Sequence, residues 1–143
     1  MKSGVFTHAK STGVYHLSHT QEANIPDFAA AAQREYRVVM LSSCGTKNSV
    51  LAQIGRDLNF PDWYGANFDA LNDCLHDNHW RPEKGLIVKI TGLDRLSKAD
   101  ADTCGTLLEI FDAACHPDHP QNLPPLWFLI DTPLTGIKPL PKA

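Results

Sequence analysis

The chain has 143 residues, with 13 lysines plus arginines against 16 aspartates plus glutamates and a formal charge of −3, a length that predicts one domain over 1–143. Hydrophobic residues make up 43% and charged residues 20%, which excludes a disordered chain and lets the fold stand without metal, disulfide or cofactor. No apolar run approaches the ~20 residues that span a bilayer, the opening MKSGVFTHAKSTG lacks an apolar signal core, and no generally basic surface is present. These absences predict a cytoplasmic protein with no membrane contact and no direct nucleic-acid partner.

Taken in chain order, Val14 to Leu17 is β-branched and aromatic and predicts a first strand. Asn24-Ile25-Pro26-Asp27 reads as a helix start, and the four alanines within Phe28 to Tyr36 predict a helix there. Val38-Val39-Met40-Leu41 is a continuous apolar run, the mark of a strand buried on both faces. Thr46 to Ser49 then offers a cap ahead of Val50, Leu51, Ile54 and Leu58 at helical spacing.

Pro61 stops that helix, and Asn67 caps another over Phe68 to Leu75. Leu86 to Ile90 is a strand between Gly85 and Gly92; a short helix after Ser97 and a longer one carrying Cys104, Leu107, Leu108, Phe111 and Cys115 follow. Four prolines over 117–125 predict a surface loop, Leu126 to Ile130 a last strand, and the proline-containing tail 132–143 a segment with little to pack. Strands separated by helices place the protein in the α/β class, with a small parallel sheet of three to four strands.

The charge is unevenly placed. From Asp57 to Trp80 there is no lysine or arginine, while Asp57, Asp62, Asp69, Asp73 and Asp77 all fall there; the rest of the chain has 13 basic against 11 acidic residues. Asp69, Asp73 and Asp77 are spaced four apart, so a continuous helix would carry them along one face. Like charges at that spacing repel, although the helix dipole favours Asp69 in the first turn. Asp62-Trp63-Tyr64-Gly65 stands just before them, two large aromatics beside a residue that permits unusual backbone angles. Loop and helix together predict an acidic, aromatic-rimmed protein-binding patch.

Enzyme chemistry fits these residues less well. Cys74-x-His76-x-x-His79 and Cys115-His116-x-x-His119 hold soft zinc ligands at short spacing, but both cysteines fall on core-facing helix positions and no C-x-x-C pair occurs among the four cysteines. A nucleophilic cysteine meets the same objection. The aspartates share one kind of environment, so nothing separates an acid from a base as glycoside hydrolysis requires. We expect no metal, no catalytic residue and no enzyme activity.

Over Pro61-Asp62-Trp63-Tyr64-Gly65-Ala66-Asn67-Phe68-Asp69-Ala70-Leu71-Asn72-Asp73-Cys74-Leu75 the sequence resembles the barstar family, intracellular inhibitors of barnase-type ribonucleases, through the pattern Y-G-x-N-x-D-A-L-x-D-x-L. The resemblance implies a barstar-like core over 38–131, with 1–37 as an added strand and helix. It implies that loop and helix plug a ribonuclease active site, Asp73 as the main carboxylate and Asp69 beside it. Trp63, Asn67, Asp69, Asn72 and Asp73 match contact positions; with Tyr64, Gly65 and Asp77 they form the expected partner-binding set of a free monomer. Asn72 stands where the best-known member carries tryptophan, and Ala113, next to Asp112, where it carries a contacting glutamate. A different basic toxin or regulatory protein is the alternative partner.

Overall fold

The computed structural model describes residues 4–117 and 122–141. In chain order it contains β1 (Gly13–His16), α1 (Ile25–Ala31), β2 (Glu35–Met40), α2 (Lys47–Asp57), α3 (Phe68–Leu75), β3 (Leu86–Thr91), α4 (Asp94–Ala99), α5 (Ala101–Ala114), β4 (Leu126–Ile130) and β5 (Lys138–Pro139). The strands form one five-stranded sheet in the order β2-β3-β4-β1-β5, every neighbouring pair parallel. The expected α/β class holds, with one strand more than expected. No helix among the described residues is long and apolar enough to cross a membrane.

Both faces of the central strands are covered, which explains why β3 and β4 read as unbroken apolar runs. Leu126, Phe128 and Ile130 of β4 join Leu86, Val88 and Ile90 of β3 in a core shared with Val50, Leu51 and Ile54 of α2, Leu71 and Leu75 of α3, Leu96 of α4 and Leu107 and Phe111 of α5. Trp127 and Leu129 point the other way, into a core with Phe6, Ile25, Phe28 and Leu140. That second core belongs to the N-terminal unit. Trp127 Nε1 donates to Ser11 O at 3.0 Å, and Arg34 Nε donates to Phe6 O at 3.0 Å. The β1 strand lies inside the sheet, between β4 and β5, rather than beside it.

Three expectations need correction. The alanine-rich helix ends at Ala31, not Tyr36, because Gln33 takes a left-handed conformation at φ 60°. Gln33 N then donates to Ala30 O and Arg34 N to Ala29 O, the paired bonds of a Schellman cap, and Glu35 turns into β2. The four alanines keep their helical or capping places, and ladder pairing with β3 claims only Glu35 and the residues after it. The β2 strand is an edge strand rather than one buried on both faces, with Met40 56% exposed. Its outer rim is partly closed by Asp57, whose Oδ2 accepts from Met40 N at 2.9 Å.

The tail, finally, packs. Lys138–Pro139 pairs with Tyr15 and His16 as β5, Leu140 is buried, and Gln21 Nε2 donates to Leu140 O at 3.0 Å. Proline is tolerated there because β5 is an edge strand. Of the proline-rich loop, 118–121 lies outside the described residues; 122–125 carries no regular structure.

Candidate protein-binding site

The site begins where α2 ends. Asn59, left-handed at φ 56°, lets Phe60 N donate to Gly55 O at 3.0 Å, a second Schellman cap. The chain reverses and Phe60 enters an aromatic cluster, edge-on to Tyr64 at 4.9 Å and to Trp80 at 5.0 Å between ring centroids. Tyr64 is the pin of this loop. Its hydroxyl donates to Leu51 O at 2.7 Å, burial pushes its pKa up, and its ring lies across Gly55, where a Cβ would come within 2.5 Å of Cε2. Trp63, one residue earlier, faces outward and is 55% exposed.

Ala66, not Gly65, takes the left-handed conformation in this loop, at φ 54°. An alanine there stores roughly 1–2 kcal/mol of backbone strain, held by what surrounds it. Asn67 follows as the expected N-cap, its Oδ1 accepting from Ala70 N at 2.8 Å. The apolar side of α3, Leu71, Cys74 and Leu75, is buried, which leaves Asp69, Asn72 and Asp73 exposed on the other side. Neither Asp69 nor Asp73 forms an ion pair among the described residues.

The expected stripe of three carboxylates is broken after the second. The α3 helix stops at Leu75 with His76 as its C-cap, and Asp77 leaves the helical path. Its Oδ1 accepts from His79 N at 2.8 Å and lies 3.4 Å from His79 Nδ1. Two concavities result, separated by Trp63, which lines both. One is lined by Lys47, Trp63, Gly65, Asn67, Phe68, Asp69, Ala70 and Asp73. The other holds Asp77 with Arg37, Asn59, Pro61, Trp63, His79 and Trp80. The structure thus gathers Trp63, Gly65, Asn67, Asp69 and Asp73, sets Asp77 apart, and uses Tyr64 as an internal support.

Sequence reasoning missed two cations. Lys47, in the first turn of α2, reaches the first concavity and places its Nζ 4.4 Å from the Phe68 ring centroid. A scan of one contiguous acidic segment does not register a charge delivered by another element. Arg81 is buried at 5% exposure and donates to Leu75 O at the end of α3, to Ala114 O at the end of α5 and to Pro124 O before β4. Burial pushes its pKa down to about 10, so it stays charged at neutral pH facing the negative ends of two helices. Its position directly after the acidic segment was the available signal.

The thiols are core groups. All four cysteines are buried; burial pushes Cys74 up to about 11, with Asp77 and Asp73 adding to the rise, and burial also raises Cys104 and Cys115. A buried, protonated thiol is a poor nucleophile and a poor metal ligand. Among the described residues no group of three or more histidines, cysteines and carboxylates is placed to hold a metal ion; His119 lies outside them. The arrangement instead offers charge and shape: two exposed carboxylates on a capped helix beside an exposed indole.

No curated protein matches the chain. A family model does, that of Barstar (barnase inhibitor), over residues 34–129, a span that runs from just before β2 to the penultimate residue of β4 and contains the whole site. The N-terminal unit with β1 and α1 precedes it. With two thirds of its length matched and the expected fold in place, the chain belongs to the barstar family.

Proposed function

We propose that this protein is a non-catalytic inhibitor that blocks the active site of a barnase-like ribonuclease, with Asp69 and Asp73 standing in for substrate phosphate. The observation that carries this reading is the pairing of two exposed carboxylates, uncompensated by any ion pair among the described residues, with the exposed Trp63 in one concavity. A ribonuclease collects cationic groups around the scissile phosphate. Carboxylates at phosphate-like positions accept charge-assisted hydrogen bonds from those same groups.

Rigidity makes the mimicry effective, because groups already held in the bound geometry lose little entropy on docking. The Asn67 cap fixes the start of α3, Arg81 its end, and Tyr64 the loop before it. Trp63 supplies apolar area with few rotamers to freeze. In this reading Asn72 adds a polar contact, Asp77 and Gly65 border the footprint, and the protein acts as a monomer in the cytoplasm with the N-terminal unit as part of one domain.

Inhibition of a panel of barnase-type ribonucleases, followed with a fluorogenic RNA substrate, tests the proposal. Stoichiometric inhibition that Asp73→Ala relieves supports it. A folded protein that inhibits none of them, or an Asp69→Ala, Asp73→Ala double variant as potent as the parent, contradicts it.

A further inference from the structure

The first concavity is not uniformly acidic. Lys47 lines it together with Asp69 and Asp73, yet forms no ion pair with either carboxylate among the described residues. Its ammonium rests over Phe68, the residue before Asp69, at 4.4 Å from the ring centroid. Nor does its own helix favour a cation there. Lys47 opens α2, whose N-terminus is held by the reciprocal Thr46 and Ser49 capping box, and the positive end of the helix dipole lies at that point. A lysine stands where the dipole opposes it, on the rim of a surface otherwise suited to cations, and it is ion-paired with no carboxylate among the described residues; the Asp100 carboxylate at the N-cap of α5 feels its charge but is held by Thr103.

From this we infer that Lys47 is a specificity-determining residue that receives a carboxylate of the partner, so that the site fits a basic cluster with one acidic group beside it rather than a purely basic surface. The inference rests on the proposed ribonuclease-blocking function and names the charge pattern that function requires. A purely cationic partner docking on Asp69 and Asp73 would bring like charge against Lys47. Chemistry supplies a reason for the mixed pattern. An enzyme that cleaves RNA through the 2′-hydroxyl needs a proton acceptor next to its phosphate-binding cations, and a carboxylate is a suitable one. Phosphate-mimicking aspartates alone would be repelled by that base, whereas an ammonium beside them pairs with it.

The test is a double-mutant cycle by calorimetry. The parent, Lys47→Met and Asp73→Ala proteins are each titrated into a barnase-type ribonuclease whose general base is a carboxylate, and into the variant of that enzyme with the carboxylate changed to its amide. Lys47→Met keeps an unbranched side chain of similar reach and removes the charge, and with it the ammonium's contact with the Phe68 ring. The inference predicts that Lys47→Met weakens binding to the parent enzyme about tenfold and leaves binding to the amide variant nearly unchanged. Equal weakening against both enzymes, or none against either, overturns the inference; if Asp73→Ala still abolishes binding, the inhibitory reading stands without it. Absence of binding by the parent protein to either enzyme overturns both.

Discussion

The Cβ that Gly55 lacks would sit 2.5 Å from Cε2 of Tyr64, so the tyrosine ring occupies the space that any other residue at position 55 would claim. Glycine normally weakens a helix by roughly 1 kcal/mol relative to alanine. In α2 it is kept because the loop that presents Trp63 is fastened there, by the ring contact and by the bond from Tyr64 to Leu51 O. Gly55→Ala should therefore lower stability by about 1–3 kcal/mol despite alanine's better helix propensity, and should weaken partner binding by loosening the loop. Denaturant unfolding of Gly55→Ala and Tyr64→Phe checks this; a stabilised Gly55→Ala protein would contradict it.

Trp63 makes the opposite case. It is more than half exposed and lines both concavities, so Trp63→Ala should change the unfolding midpoint little. It should weaken binding to the partner by about 2 kcal/mol or more, as loss of an interface aromatic does. The two readouts, unfolding and affinity, are expected to separate cleanly for Trp63 and to move together for Gly55.

Arg81 is where stability concentrates. Its guanidinium is buried and bonded to carbonyls at the ends of α3 and α5 and in the loop before β4. Arg81→Met preserves much of the volume but leaves those carbonyls without their donor, at a cost of about 3 kcal/mol. Thermal unfolding measures it. A variant as stable as the parent would show that the three carbonyls find other partners.

Stability should also fall on the alkaline side. The folded protein holds the Cys74 proton up to about pH 11, against an ordinary value of 9.0, because burial disfavours the thiolate. A group whose folded pKa is raised contributes fully below its unfolded pKa and loses that contribution as pH climbs through the folded one. The buried Cys104 and the Tyr64 hydroxyl are raised in the same sense. Unfolding followed between pH 8 and pH 11 should therefore show a progressive loss above about 9, reduced in Cys74→Ala relative to its own value at pH 8. Thiol labelling of the native protein at neutral pH should be slow throughout.

Most of the fold was legible because its signals are local. The apolar runs of β3 and β4, the Thr46 and Asn67 caps, and the motif from Pro61 to Leu75 each state their structure within a few residues. What escaped depends on distant partners. Four alanines predict a helix, but nothing in them reveals that Glu35 will pair beside Leu86 of β3. The tail looked idle because its pairing with β1 and the burial of Leu140 join chain ends more than 100 residues apart.

The site divides the same way. Trp63, Asn67, Asp69 and Asp73 announce themselves in one stretch, whereas Asp77, four residues after Asp73, falls off their face because α3 ends at Leu75. Its spacing fits a helix that the His76 cap ends. Lys47 and Gly55 come from α2 and enter the site only when that helix packs beside the loop.

The most direct test of the central claim, that Asp69 and Asp73 replace substrate phosphate, is a calorimetric titration with barnase-type ribonucleases. It is run at about 0.05 M and about 0.5 M salt, a range over which screening of exposed charges changes strongly. Tight one-to-one binding that weakens with salt, and that Asp73→Ala reduces by about 3–5 kcal/mol through stranding buried partner cations, is the predicted result. Binding that is indifferent to salt and to both aspartates would contradict the account.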